Sequence, residues 1–504
     1  MNRLPTEILS LVFFIILDMN LRAWIDSGSG HGRFETNVTP LVLGTVCLRW
    51  RRIIHGNERY WNNILITFGY PVHGSLATKM SGLTEFYLRK SGTKPLSISV
   101  LSESCLPASR RWETNRVDEH IPALISLFKH HLRWESVHFH LPINSIPYIP
   151  PTLPMLRRCH LSFNPALITL KPWPLHGRFP VVWSQLTDLR LTNVGTLLME
   201  QISDFGSLTR LTIDLGLNAS CTAPSISTIL RMLQRCSRTL VYLRLQTQFI
   251  GSEQVNSHTV ITMDGLEEAE LDVHYIDLLQ YLKLPRLVTF TSNFAFEPSP
   301  LATLSSFIHD SNPPIRCLVL LEADMDLEDL ITVLNNLPTL TTLGLLNSGP
   351  QSNPFDGSLL HRLSLSHCRS CEDILLPNLT DVELGFDYDL VDPEDEDFLI
   401  DGLALVEMLS SRFYLDRNPE THPPCSSRCS STDYRCRAKP LKRLSLNGLD
   451  HGQHLDEEVH DVLGRMKHDG LDLLTSWTDG DLLVSESALL TLRQIVVDMV
   501  DRNV

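Results

Sequence analysis

The sequence predicts an α/β chain: a small N-terminal helical module, then a long array of strand–helix repeats on a parallel sheet. Three observations predict it. Apolar residues at helical spacing fill much of the first 66 residues. A pattern of apolar, two residues, apolar, one residue, apolar recurs from Trp134 to Leu446. Between its copies lie segments whose apolar residues repeat at helical spacing. At 504 residues the chain is long enough for several cores, and its 43% apolar content is that of a folded globular protein.

The N-terminal module comes first. Leu4-Pro5-Thr6-Glu7-Ile8-Leu9 opens it, with Pro5 where a first helical turn tolerates it and Glu7 at the positive end of the helix dipole. Ile8, Leu9, Val12, Phe13 and Ile16 follow at helical spacing. A second amphipathic run puts Leu43, Val46, Cys47, Trp50, Ile53 and Ile54 on one stripe, with Arg49, Arg51 and Arg52 mostly off it. Tyr60-Trp61-Asn62-Asn63-Ile64 closes the module. So short a segment does not easily bury this much apolar surface by itself, so part of it is expected to meet a partner. In order, Leu4, Pro5, Glu7, Ile8, Leu9, Val46, Cys47, Trp50, Arg51 and Trp61 resemble the F-box, the helical module that docks on the Skp adaptor of cullin-RING ubiquitin ligases. The resemblance implies that Leu4, Pro5, Ile8, Leu9, Val46, Trp50 and Trp61 bind the adaptor or hold the module together. The polar, Gly-rich stretch around Gly28-Ser29-Gly30-His31-Gly32 is longer than the usual F-box connection, although lengthening a loop costs only logarithmically.

Residues 67–129 read as a transition, with a strand at Leu96, Ile98 and Val100 and a helix from Ile121 to Phe128. The repeat array is expected over 130–450. Its copies are Trp134-Val137-Phe139, Leu156-Cys159-Leu161, Leu186-Leu189-Leu191, Leu208-Leu211-Ile213, Leu240-Leu243-Leu245 and Leu266-Ala269-Leu271. They continue as Ile315-Leu318-Leu320, Leu340-Leu343-Leu345, Leu360-Leu363-Leu365, Leu379-Val382-Leu384 and Leu441-Leu444-Leu446, with a degraded copy at Leu287-Phe290. The last two apolar residues of each copy alternate as in a strand and point inward, and the residues between them face out. One unit cannot bury its inward residues alone, so the units stack. The spacing, about 19 to 32 residues, and the pattern resemble the leucine-rich repeat, here irregular and mostly without the Asn that follows the last leucine in that family. The fold class is therefore α/β, an F-box-like module (1–66) followed by an irregular leucine-rich-repeat solenoid with a parallel sheet.

Helices are expected between the strands at Ile226–Leu233, at Leu301, Leu304, Phe307 and Ile308, and after Asp326, a candidate N-cap. An insertion at about 387–440 holds a helix from Phe398 to Leu409, a Cys-rich loop and most of an acidic run. The run has ten Asp or Glu and no Lys or Arg between Asp381 and Asp401, and reads as a solvated loop. The tail, 451–504, has helical patterns at Glu457–Met466 and Ser485–Met499 and is read as a C-terminal cap.

The net charge of −15 argues against a nucleic-acid binder. The apolar run Ile8–Leu17 is too short to span a bilayer, and Glu7, Asp18 and the lack of a small-residue cleavage site set it apart from a signal peptide. Eleven cysteines are too sparse for a disulfide framework, so a reducing cytoplasmic or nuclear compartment is expected. Cys368 and Cys371 form a single Cys-x-x-Cys. Cys425, Cys429 and Cys436, near His422, offer zinc ligands at irregular spacing, for which a loop with unrelated thiols is the plainer reading. His138 and His140 share an outward strand face without a third ligand nearby in sequence, and read as exposed residues. No phosphate-binding loop or nucleophile elbow is present, so neither catalysis, a cofactor nor a metal is expected.

These readings converge on a non-catalytic substrate-recognition subunit of a Skp–cullin–F-box ubiquitin ligase. Its partners would be the Skp adaptor and a client protein, with neither nucleic acid nor membrane. A repeat-based binding scaffold without a ligase link is the alternative. Outward strand residues are the client-binding candidates: Asp188, Arg190, Arg210, Tyr242, Arg244, Glu268, Glu270 and Asp272. The acidic run of the last three predicts a client with a basic or polar face.

Overall fold

The computed structural model describes residues 4–26, 39–68, 74–102, 121–141, 152–163, 183–193, 205–215, 226–247, 260–293, 300–321, 326–347, 357–365, 374–386, 401–414, 438–447 and 457–476. The chain divides into two compact units, Met1–Leu240 with Gln246–Val255, and Val241–Leu245 with Asn256–Val504. Both are mixed α/β, and each carries a ladder of strands paired only in parallel.

The first unit opens with helices α1 (Thr6–Asp26), α2 (Pro40–Val46) and α3 (Leu48–Gly56). The single second stripe expected from the sequence is broken. Cys47 is extended (φ −160°, ψ 168°), and its thiol accepts from the Trp50 amide at 3.5 Å, capping α3 and ending α2. Thr39 caps α2 in the same way, accepting from the Val42 amide at 3.3 Å. Then follow β1 (Asn63–Phe68), α4 (Gly74–Lys90), β2 (Leu96–Ser102), α5 (Ile121–Phe128), β3 (Trp134–Leu141), β4 (Arg158–Phe163), β5 (Asp188–Thr192) and β6 (Arg210–Leu215). The six strands pair in chain order. The sheet therefore begins at β1, ahead of the array start expected at residue 130. α6 (Ile226–Cys236) buries Ile229, Leu230, Met232 and Leu233.

The second unit pairs β7 (Tyr242–Thr247), β9 (Glu268–Asp272), β11 (Thr289–Asn293), β12 (Cys317–Leu321), β13 (Thr342–Asn347), β14 (Asp381–Phe386), β15 (Arg443–Asn447) and β16 (Asp472–Ser476), again in order. Two short strands, β8 (Ile261–Thr262) and β10 (Leu282–Lys283), pair separately. Helices α7 (Pro300–Ser311), α8 (Leu327–Asn335), α9 (Gly357–Leu363), α10 (Gly402–Phe413) and α11 (Glu457–His468) alternate with the strands. The sheet thus runs on into the tail read as a helical cap, because β16 adds a strand after α11. The helix expected at Ser485–Met499 lies outside the described residues.

The inward columns follow the sequence pattern closely. Leu186, Leu189 and Leu191, Leu208, Leu211 and Ile213, and Leu340, Leu343 and Leu345 are all buried, each contributing roughly 1.5–3 kcal/mol of hydrophobic stabilisation. The degraded copy is a true strand: Ser292 replaces the last apolar residue and satisfies its hydroxyl by donating to the Leu271 carbonyl at 2.9 Å. One copy is wrong. Leu360 and Leu363 belong to α9, not to a strand, because a spacing of three also fits one face of a helix. Beside it Arg412 is fully buried, donating to the carbonyls of Leu363 (2.6 Å), Leu375 (2.6 Å) and Leu376 (3.1 Å). It thereby holds Leu376 in the left-handed region (φ 53°).

Candidate interaction surfaces

The N-terminal module is assembled around α1. Leu9 and Phe13 are buried, and Phe13 meets Trp50 edge-on at 4.6 Å and Tyr60 at 6.5 Å. The Tyr60 hydroxyl donates to the Ser10 carbonyl at 2.9 Å, and the Arg49 guanidinium to the Leu4 carbonyl. Trp61 is fully buried. Its indole donates to the Ile54 carbonyl at 2.9 Å, and its ring meets Phe86 and Tyr87 edge-on. These contacts sort the residues singled out in the sequence into two groups. Leu9 and Trp61 are core, and Trp50 is half-buried against Phe13. Leu4, Pro5, Ile8 and Val46 are exposed, Val46 by 58%.

Exposure extends well past those four. Leu11, Val12, Phe14 and Ile15 on α1 are exposed, as are Leu41 and Val42 on α2 and Leu48 at the start of α3. An α-helix that is apolar on every side is ordinarily buried on every side. Here α1 buries one stripe, Leu9 and Phe13, and leaves Ile8, Leu11 and Ile15 uncovered.

On the outward face of the first unit, register places side chains in rows. Arg158, Asp188 and Arg210 form one, and His138, His160, Arg190 and Thr212 the next. The imidazoles of His138 and His160 stack at 4.2 Å with planes 13° apart. His140 Nδ1 lies 2.8 Å from the Ser162 hydroxyl, and His160 Nε2 lies 3.3 Å from that of Thr192. Contrary to expectation, His138 and His140 are only partly exposed, and strand pairing adds a third imidazole, His160. Burial holds all three below the ordinary imidazole value, and neighbouring imidazoles and Arg190 push two of them further, His138 to about 4 and His160 to about 2. They are neutral at neutral pH. Among the described residues, no group of three or more His, Cys, Asp or Glu is placed to hold a metal ion.

Asp188 lies half-buried between exposed Arg158 and Arg210, and Arg190 also acts on it; burial nonetheless raises its carboxyl above the ordinary value. In the second unit, three candidates bind one another. Arg244 is buried and pairs with Glu270 at 3.2 Å, and the Tyr242 hydroxyl donates to Glu270 at 3.3 Å. Glu268 and Asp272 flank them, half-buried.

Further along, the outward face turns apolar. Cys317 and Val319 are buried against Leu321 and Leu346, and a Cβ on Gly344 would stand 3.2 Å from both Val319 methyl groups. The continuous run Cys317–Leu321 is the sequence signal for a strand covered on both faces. The acidic run is not wholly loop: Asp381 and Glu383 lie on β14, Glu383 is buried, and Asp401 caps α10 by accepting from the Ala404 amide at 2.9 Å. Cys368, Cys371, His422, Cys425, Cys429 and Cys436 lie outside the described residues.

No helix among the described residues is long and apolar enough to cross a membrane. No protein-family model matches the sequence, and no curated protein matches it.

Proposed function

We propose that the chain is a non-catalytic substrate-recognition subunit of a Skp–cullin–F-box ubiquitin ligase. The N-terminal helices dock on the Skp adaptor, and the strand ladders, read as irregular leucine-rich repeats, receive a client protein. The observation that carries this reading is α1. It is apolar on two sides, and one side (Ile8, Leu11, Ile15, with Leu4 just before it) is open to solvent, beside exposed Leu41, Val42, Val46 and Leu48. Exposed apolar clusters of this kind mark protein-binding surfaces. They fall on the segment whose motifs resemble the F-box.

The same geometry dictates the test. Substituting Leu9 or Trp61 would damage the core, so the informative variant is Ile8→Asp with Val46→Asp. Purified Skp adaptor is expected to capture the full chain, and this double variant to abolish capture while its melting temperature stays within a few degrees of the parent. Failure of the unaltered chain to bind the adaptor would sink the ligase reading. The alternative, a repeat scaffold with N-terminal helices that only cap it, would then hold.

A further inference from the structure

Charge along the N-terminal part of the first unit runs against that of the chain. Between Arg49 and Arg133 stand thirteen Lys or Arg and six Asp or Glu, so this stretch is basic in a chain of net −15. The fold gathers part of that excess on one surface. On α3, Leu48, Arg51, Arg52 and His55 recur at helical spacing and are all exposed, so they form its outer face. At the end of α4, exposed Arg89 lies 5.8 Å and half-buried Lys90 5.9 Å from the ring centroid of Phe86. His55 joins the two helices. Its ring lies 5.2 Å from that of Trp61, which meets Phe86 in turn, and Lys90 and Arg51 both act on it. Burial first, then those two cations, hold the imidazole below its ordinary value, so His55 sits in a field already positive.

The carboxylates of this region do not cancel that field. Glu58 pairs with Lys94 at 3.9 Å and acts on Arg133. Glu85, one turn ahead of Arg89, accepts from the Ser126 hydroxyl on α5 at 3.4 Å and offsets one charge. Arg51 uses one donor on the Gly44 carbonyl at 3.0 Å. Among the described residues, Arg51, Arg52, Arg89 and Lys90 form no ion pair, so a surplus of cationic donors faces out.

We infer that this α3–α4 surface binds a polypeptide segment of clustered anionic side chains, held by Arg51, Arg52, Arg89 and Lys90. The stripe begins at Leu48, 68% exposed, where an apolar residue next to the anionic ones finds its contact. That combination favours a polypeptide over a nucleic acid, and a chain of net −15 also repels a long polyanion before any local contact forms. Guanidinium forks suit carboxylate and phosphate equally, so aspartate, glutamate or phosphorylated side chains are alternative sources of the same chemistry. The inference goes beyond the adaptor reading, which is carried by the apolar side of α1.

Fluorescence anisotropy on the full chain tests this with four labelled probes: a Glu-rich peptide, a phosphoserine peptide of otherwise neutral sequence, a Lys-rich peptide and an RNA oligonucleotide. One or both anionic peptides are expected to bind, more weakly as salt rises, and their comparison identifies the source of the charge. Arg52→Glu with Arg89→Glu, both exposed, should weaken binding about 10-fold or more, and the milder Arg52→Gln with Arg89→Gln about 3-fold. The same charge change at exposed Arg286 and Arg316, in the second unit, should leave binding unchanged. The inference is overturned if neither anionic peptide binds, if the Lys-rich peptide binds more tightly, if RNA binds through the same arginines, or if the control variant loses as much. Adaptor capture, measured in parallel, separates the two readings. Loss of peptide binding with capture intact removes this inference alone, and absence of capture with peptide binding intact removes only the ligase link.

Discussion

The indole N–H of Trp61 donates to the carbonyl of Ile54 at 2.9 Å, so a residue beyond α3 caps one of the carbonyls at that helix's end. The bond places Trp61 in the core of the N-terminal module, away from any adaptor. Trp61→Ala removes a large buried ring and strands a buried acceptor, and should destabilise the first unit by about 3–5 kcal/mol. Denaturant titration of Trp61→Ala beside Ile8→Asp checks the division. Stability should fall steeply in the first and little in the second, and equal losses would contradict it.

Arg412 makes a second prediction. Its buried guanidinium serves three carbonyls on two segments, Leu363 and Leu375–Leu376. Arg412→Ala leaves those acceptors without it and opens a cavity, with an expected loss of about 3 kcal/mol or more. Arg412→Lys should recover little, since a single ammonium lacks the fork that reaches all three. Full recovery by lysine, read from the urea midpoint, would show that charge alone is needed there.

The stacked histidines make stability depend on pH. In the unfolded chain an imidazole protonates near 6.5, whereas burial holds His138 down to about 4 and His160 to about 2. Between those limits the unfolded state binds more protons, so the contribution is complete above pH 6.5 and is lost as pH falls toward 4. Arg190, which acts on both rings, works in the same direction, while Asp188, with its raised carboxyl, has the opposite sign at the acid end. The melting temperature should therefore drop between pH 7 and pH 5, and His138→Gln with His160→Gln should flatten that slope. An equally steep profile in the double variant would exclude the histidines as its cause.

Asp326 is a cap whose worth is readily measured. Its carboxylate accepts from the amides of Glu328 (2.9 Å) and Asp329 (3.2 Å) at the start of α8. Asp326→Ala should cost about 1 kcal/mol, and Asp326→Asn much less. A thermal shift as large for asparagine as for alanine would show that charge on the helix dipole, rather than the hydrogen bonds, supplies the stabilisation.

Much of the fold was legible because burial leaves a period. Leu189 and Leu191, Leu211 and Ile213, and Leu343 and Leu345 could be assigned inward from alternation alone, and the Asp326 cap from the residue type ahead of an apolar stripe. Legibility failed where one spacing serves two structures. Leu360-Leu363-Leu365 matches the strand pattern, yet Leu360 and Leu363 sit on a helix. Leu43 to Ile54 fits one helix, yet Cys47 divides it in two. The end strands β1 and β16 were missed as members of the ladder because each lies in a segment read as helical. Trp61, Ile64 and Ile66 carry the repeat spacing but were assigned to the N-terminal module, and β16 falls in the tail read as a cap.

The sequence by itself determined the inward columns, the parallel strand–helix alternation and the amphipathic segments, since these depend on which side chains leave water, a property each residue carries locally. Only the tertiary structure decided which outward residues become neighbours. Strand pairing set His160 on His138 and brought Arg158 and Arg210 to either side of Asp188. It also turned Arg244 onto Glu270, and the packing of α1 against Trp50 and Tyr60 separated core Leu9 from exposed Ile8. Those relationships join residues 20 or more positions apart, and their register is fixed by the packing of whole strands and helices, which no local pattern records.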